Sequence, residues 1–176
     1  MINIALIVVA LLVAALLIYV ALKPADFMIH RSVRIKASQE KVFPLINDLH
    51  IMQTWSAWEK VDPGMQRSYS GERSGKGAKY AWEGSREIGQ GSLEITESTL
   101  PSKIVLSLDF IKPCTGHSDV EFSLQAEDEN TVVTQTMRGT STFIPRLMCS
   151  LFFDQDKMIG GKFEEGLASL KAMAEQ

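Results

Sequence analysis

From Gln66 to Thr140 the chain is a succession of β-rich segments joined by connections too short for anything but antiparallel pairing. Residues 66–69, 78–83, 91–99, 103–112, 118–126 and 131–140 are rich in branched and aromatic side chains, and most alternate apolar with polar. Turn residues separate several of them: Gly71-Glu-Arg-Ser-Gly-Lys-Gly77, residues 84–89, Leu100-Pro-Ser102 and Glu127-Asp-Glu-Asn130. A parallel crossover needs a dozen or more residues, so these strands pair antiparallel with their neighbours. Successive strand residues point to opposite faces. One face is predicted to carry Tyr80, Trp82, Leu93, Ile95, Ile104, Leu106, Leu108, Phe110, Val120, Phe122 and Leu124. The other carries Glu94, Ser107, Asp109, Glu121, Ser123 and Gln125, which makes it the wet face.

The flanks supply what covers the apolar face. Residues 27–36 alternate as a strand, with a slip at Arg31-Ser32 that predicts a bulge. Ser38 reads as a helix N-cap with Glu40 in the first turn. Val42, Phe43, Leu45, Ile46 and Leu49 follow as a buried stripe that Pro44 should kink. A second short helix is expected over residues 50–55, a short apolar helix over 145–153 and a long helix over 156–175. In the last, Ile159, Phe163, Leu167 and Leu170 recur at helical spacing. Gly160-Gly161 costs about 1 kcal/mol per glycine in helix propensity, which suggests close approach of another backbone or a bend. The order is that of an α+β fold, an antiparallel sheet gripping a carboxy-terminal helix.

Residues 2–22 are apolar except for Asn3 and Tyr19 and contain no charge, proline or glycine. As a helix they would measure roughly 31 Å, which matches a bilayer's hydrocarbon thickness. No basic residue precedes the run and Lys23-Pro24 follows it, which favours a retained membrane anchor over a cleaved signal. Lys23, Arg31, Arg34 and Lys36 all follow the span, so a single-pass protein with a cytoplasmic domain is expected. The division is residues 1–23 as transmembrane anchor and 24–176 as the folded domain. A formal charge of −3 offers no basic footprint for nucleic acid. Cys114 and Cys149 are the only cysteines, and their spacing demands no disulfide; neither C-x-x-C nor H-E-x-x-H occurs, so no metal and no cofactor is implied.

Several stretches together resemble the START-like helix-grip superfamily, in particular the SRPBCC family of polyketide cyclases/dehydrases and lipid-transport proteins. They are Arg31-Ser-Val-Arg-Ile35, Glu40-Lys-Val-Phe-Pro-Leu-Ile-Asn-Asp48, Trp55-Ser-Ala-Trp-Glu-Lys60, Tyr69-Ser-Gly71 and Gly77-Ala-Lys-Tyr-Ala-Trp-Glu-Gly84. Gly89-Gln-Gly91, Leu108-Asp-Phe-Ile-Lys-Pro113 and Gly166-Leu-Ala-Ser-Leu-Lys171 complete the set. The resemblance covers residues 27–175 and implies a deep apolar cavity between sheet and long helix. It does not imply one activity, since the family embraces carriers, cyclases, hydrolase-like members and regulators.

All three tryptophans and two of the three tyrosines lie between Thr54 and Gly84. Trp55, Trp58, Tyr69, Tyr80 and Trp82 either line a cavity mouth or form a structural corner. Tyr80 and Trp82 share a strand face, and Glu83 follows at the strand end. A second group comprises Phe110, Phe122, Gln135 and Met137 with Phe152, Phe163 and Leu167. If the face bearing Val133, Gln135 and Met137 points inward, Gln135 is a polar group in an apolar cavity and needs a partner; if outward, it is simply solvated. The ligand-binding candidates are Tyr80, Trp82, Glu83, Phe110, Phe122, Gln135, Met137, Phe163 and Leu167.

No catalytic set emerges. His30, His50 and His117 are scattered, and His117-Ser-Asp119 cannot converge as a triad because adjacent strand residues point apart. Gly71 to Gly77 lacks Walker spacing and leads into a strand rather than a helix, so it is a hairpin loop. The expected function is a membrane-anchored binding protein for a hydrophobic small molecule or lipid. The alternatives are a cyclase-, dehydratase- or hydrolase-like enzyme in which Glu83, Gln135 or Tyr80 positions substrate, and an interaction module.

Overall fold

The computed structural model describes residues 2–141, 147 and 154–176. Helix α1 (Ile2–Leu22) precedes β1 (Asp26–Ile35), α2 (Gln39–Asn47), α3 (Leu49–Trp55) and a 3-10 turn (Ala57–Lys60). Six strands follow: β2 (Gln66–Gly71), β3 (Ala78–Glu83), β4 (Gln90–Thr99), β5 (Lys103–Lys112), β6 (Gly116–Glu127) and β7 (Asn130–Thr140). The long helix α4 (Gln155–Ala174) ends the fold. The short helix expected over 145–153, with Cys149 and Phe152, lies outside the described residues apart from Leu147.

The seven strands form one sheet in the order β1-β7-β6-β5-β4-β3-β2, and every neighbouring pair is antiparallel. Only β1 pairs across the length of the domain, running from Asp26 opposite Thr140 to Ile35 opposite Thr131. Tight turns close the hairpins. Between β2 and β3, Gly71 (φ 73°) lies so near the Gly77 carbonyl that a side chain there would strike backbone. Ile95, Ile104, Leu106, Phe122, Leu124 and Val133 are buried on the inner face. Against them pack Val42, Phe43 and Ile46 of α2, Leu49, Met52 and Trp55 of α3, and Ile159, Phe163, Leu167 and Leu170 of α4. Pro44 sits inside α2, which stops three residues later. Asp48 then turns the chain, its N–H donating to the Pro44 carbonyl and its side chain accepting from His50 N at 2.9 Å. Ser38 occupies the N-cap position of α2 without a side-chain capping bond.

Two expectations are corrected here. No bulge interrupts β1, whose register with β7 is continuous through Arg31 and Ser32. Arg31 is instead an inward-facing residue, in step with Ile29 and Val33, and its charge is met on α4. Its Nε donates to Glu164 at 2.6 Å, and Nη2 donates to Asp156 Oδ2 at 2.9 Å. The second correction concerns the amino terminus. No helix among the described residues is long and apolar enough to cross a membrane, which overturns the expected single-pass anchor over 1–23 and the cytoplasmic placement derived from it. Side chains of α1 are described from Leu6 onward.

The Arg31 contact also explains Gly160. A Cβ built there would collide with the guanidinium, so the helix is kept bare for a side chain and not for another backbone. Nothing lies within 4 Å of a Cβ at Gly161. Neighbouring glycines should therefore respond oppositely in urea denaturation. Gly161→Ala is expected to stabilise the fold by about 0.5–1 kcal/mol through helix propensity. Gly160→Ala is expected to destabilise it by about 1 kcal/mol, because the displaced guanidinium loses charge-assisted bonds.

Candidate functional site

The alternation of the strands places one row of inner-face side chains under another, and the helices cover these rows unevenly. Towards Val133, Leu124 and Ile104 the space beneath α4 is filled solid. At the other end it opens into a cavity of about 490 Å³. Its sheet wall is made by Leu106, Leu108, Val120, Phe122 and Met137, and its roof by Trp55, Trp58, Ile159 and Phe163. Exposed residues at the β5–β6 turn (Cys114 to His117), Glu87, Thr140 and Met158 mark the mouth.

One side of the cavity is an aromatic series that begins outside it. His50 stacks on Tyr69 at 3.9 Å, Tyr69 lies 5.2 Å from Tyr80, Tyr80 lies 6.0 Å from Trp82, and Trp82 meets the edge of Phe110 at 5.9 Å. Tyr69 and Tyr80 are a cross-strand pair of β2 and β3, which brings their rings together. Trp82 is opposite Gly91 of β4, and a Cβ at Gly91 would meet the indole at 2.5 Å. Glycine there makes the seat on which the indole lies, and its Nε1–H donates to the Ile88 carbonyl at 3.2 Å.

The polar centre of this wall is Glu59, from the 3-10 turn. Its side chain is 14% exposed. The Tyr80 hydroxyl donates to Oε1 at 2.7 Å and Arg67 Nε donates to Oε2 at 2.7 Å. Arg67 Nη1 also donates to the Met65 carbonyl at 2.7 Å. Burial first, and then the hydrogen bond to Glu59, push the Tyr80 phenol far above its ordinary range. Tyr69 is raised as well, chiefly by burial, and its hydroxyl donates to Gln53 at 2.7 Å. Both Glu59 oxygens thus accept charge-assisted bonds, and the group is built as a fixed anchor for Tyr80.

Of the residues anticipated from sequence, Tyr80, Trp82, Phe110, Phe122, Gln135, Met137 and Phe163 are brought together on the cavity wall. Glu83 is not. It points to the wet face, exposed, and pairs with Lys112 at 3.1 Å. The reason is elementary: Trp82 faces inward, so the next strand residue faces out. Leu167 is corrected too; it is 1% exposed in the solid core below the cavity and does not line it. Tyr69 stands behind Tyr80 and does not reach the cavity, whereas Trp55 and Trp58 do. Gln135 faces inward at 9% exposure, and among the described residues its amide has no hydrogen-bond partner. Glu59 and Arg67 were missed. Arg67 shares the face of Tyr69 on β2, and an inward arginine calls for a buried carboxylate; that was the available signal.

His117 is exposed at the rim, where the hydrogen bond to Asp109 at 2.8 Å raises its pKa. No group of three His, Cys, Asp or Glu among the described residues could hold a metal ion. Cys114 is an exposed free thiol.

The sequence profile of the family described as "Activator of Hsp90 ATPase homolog 1-like protein" matches residues 36–175. No curated protein matches the chain. Among solved structures, a Chromobacterium violaceum protein superposes with a TM-score of 0.60 at 13% identity, over 88% of this chain and 99% of that one. The Aha1 dimer of Colwellia psychrerythraea gives 0.59 at 17%, over 85% and 96%. A Rhizobium loti protein gives 0.55 at 19%, over 85% and 95%. At such identities the likeness establishes the fold alone, a helix-grip α+β domain.

The raised Tyr80 phenol makes a prediction at alkaline pH. Unfolded tyrosine loses its proton near pH 10, while folded Tyr80 retains it. Above that pH the unfolded state binds fewer protons, so stability falls as pH rises, by up to about 1.4 kcal/mol per pH unit from this group. Denaturation midpoints taken from pH 9 to 11 are expected to fall less steeply in Tyr80→Phe. At pH 7 the same variant should be about 1–2 kcal/mol less stable, because Glu59 loses a buried donor.

Proposed function

The chain belongs to the Activator of Hsp90 ATPase homolog 1-like family, whose domains often bind hydrophobic ligands, and from that premise we propose that residues 24–176 bind a hydrophobic small molecule or lipid in the cavity between the sheet and α4. The observation that carries this reading is the cavity itself. At about 490 Å³, walled by Leu106, Val120, Phe122, Met137 and Phe163, it has the size and apolar lining of a small-molecule site. Empty space among such side chains forfeits packing that a ligand restores.

Binding without chemistry is favoured over the enzyme reading by the state of the polar groups. Glu83, the carboxylate expected to position substrate, is on the outer face with Lys112. Glu59 reaches the cavity with both oxygens already accepting. Tyr80 is held protonated and its proton is directed at Glu59.

Two measurements test the reading. Native mass spectrometry of the full purified chain is expected to show an added apolar mass, and the neutral dye N-phenyl-1-naphthylamine should bind saturably. Val120→Trp fills the middle of the cavity and should weaken the dye at least about tenfold, with an unchanged far-ultraviolet circular dichroism spectrum. No co-purified mass and no saturable dye binding would sink the proposal.

A further inference from the structure

Gln135 is a polar group in the cavity that no other described residue answers. Its amide offers two donor hydrogens and an acceptor oxygen, and none has a partner among the described residues. Leaving such a group bare in apolar surroundings is costly, so whatever occupies the cavity is pressed to satisfy it. Ser118, 5% exposed, is likewise without a partner among the described residues, but it sits beside Gly116 and His117 at the mouth, where water can reach it. Gln135 lies deeper. It is five positions along β7 from Thr140 at the rim, roughly 17 Å at about 3.4 Å per residue. Met137, Val120 and Phe163 stand on the way, and the solid core around Val133 closes the far side.

The neighbours of Gln135 decide what it can receive. Across one strand is Phe122; across the other is Arg31. Arg31 would be the natural partner of an anionic headgroup, but its donors are used. Nε goes to Glu164, Nη1 to the His30 carbonyl and Asp156 Oδ1, and Nη2 to Asp156 Oδ2 and the Asp156 carbonyl. The cluster of one cation and two carboxylates is net negative. Lys162, which also lines the cavity, is paired with Glu165 at 3.2 Å. Glu59, on the opposite wall, is paired with Arg67 at 2.7 Å, so that pair is neutral and its guanidinium is committed. Among the described residues, an anion seated at Gln135 would therefore be desolvated without a free cation to meet it.

Resting on the reading of the cavity as a ligand site, we infer that Gln135 selects uncharged amphiphiles. The ligand carries a neutral donor–acceptor group, such as a hydroxyl or an amide, at the closed end beside Gln135, and its apolar body runs toward the mouth. A hydroxyl fits because it can donate to the amide oxygen and accept from the amide nitrogen. Fatty-acid-like anions of the same size are disfavoured.

The test uses the full chain at pH 7 and three probes of one shape: butylbenzene, 4-butylphenol and 4-butylbenzoate, each displacing N-phenyl-1-naphthylamine. In the native protein 4-butylbenzoate should bind weakest. In Gln135→Leu the ratio of 4-butylphenol to butylbenzene affinity should fall about tenfold, with butylbenzene itself little changed. Retained butylbenzene binding reports that the variant is folded with its cavity intact, and Gln135→Met, unbranched and of similar length, repeats the measurement. Unchanged ratios in both variants, or 4-butylbenzoate binding tightest, would overturn the inference while leaving the cavity a ligand site. Saturable binding of none of the four compounds to the native protein would overturn both.

Discussion

An α-helix about 10 Å across cannot cover a seven-stranded sheet that is roughly 34 Å wide. Every inner-face side chain must nevertheless be shielded, because the pleat gathers the apolar residues there. α4 covers the β1 side, and α2, α3 and the 3-10 turn cover the space beside it. Where these elements diverge, near the β5–β6 turn and the start of α4, the sheet stays covered but not filled. The cavity is the geometric remainder of one helix laid on too broad a sheet, and its apolar lining follows from the strands' alternation.

Where that remainder falls depends on how α4 is held. Arg31 reaches its first half through Asp156 and Glu164, and Gly160 lets the guanidinium lie against the helix. At the other end Lys171 donates to the Arg34 carbonyl at 2.6 Å and the Lys36 N–H donates to Glu175 at 2.7 Å. The carboxylates are exposed, so these pairs contribute modestly to stability. Their effect is positional: both ends of α4 are tied to β1, at the edge of the sheet, which leaves the opposite flank of the helix to form the cavity roof. The same Arg31 is exhausted by this role, and that leaves Gln135 as the available polar contact next to it.

Much of this architecture was legible. The bounds of α1, β3 and β5 agree with the expected segments to the residue, and the other expected elements among the described residues differ by a few residues at their ends. Tyr80, Trp82 and Phe110 were placed on one face because alternation is a local property of a strand. Arg31 was misread for the same local reason. A charged residue on the apolar side looks like a slip in register when the helix that neutralises it lies more than a hundred residues further on. Glu83 stands out in the sequence by its nearness to Trp82 in the chain, and nothing local marks Glu59. Nearness along a strand puts side chains on opposite faces, while Glu59 reaches Tyr80 from a separate turn.

The sequence by itself determined the seven strands, their antiparallel neighbours, the long helix and the sets of side chains that share a face, since all of these arise from period and turn chemistry over a few residues. It left Gln135 undecided between wet and covered. That was resolved by the pairing of β7 with β1 and by the seating of α4 over their common face, contacts between segments at opposite ends of the domain. The cavity, the Glu59–Tyr80–Arg67 centre and the commitment of Arg31 belong to the tertiary structure for the same reason. Each depends on which distant surfaces meet, and no local periodicity encodes that.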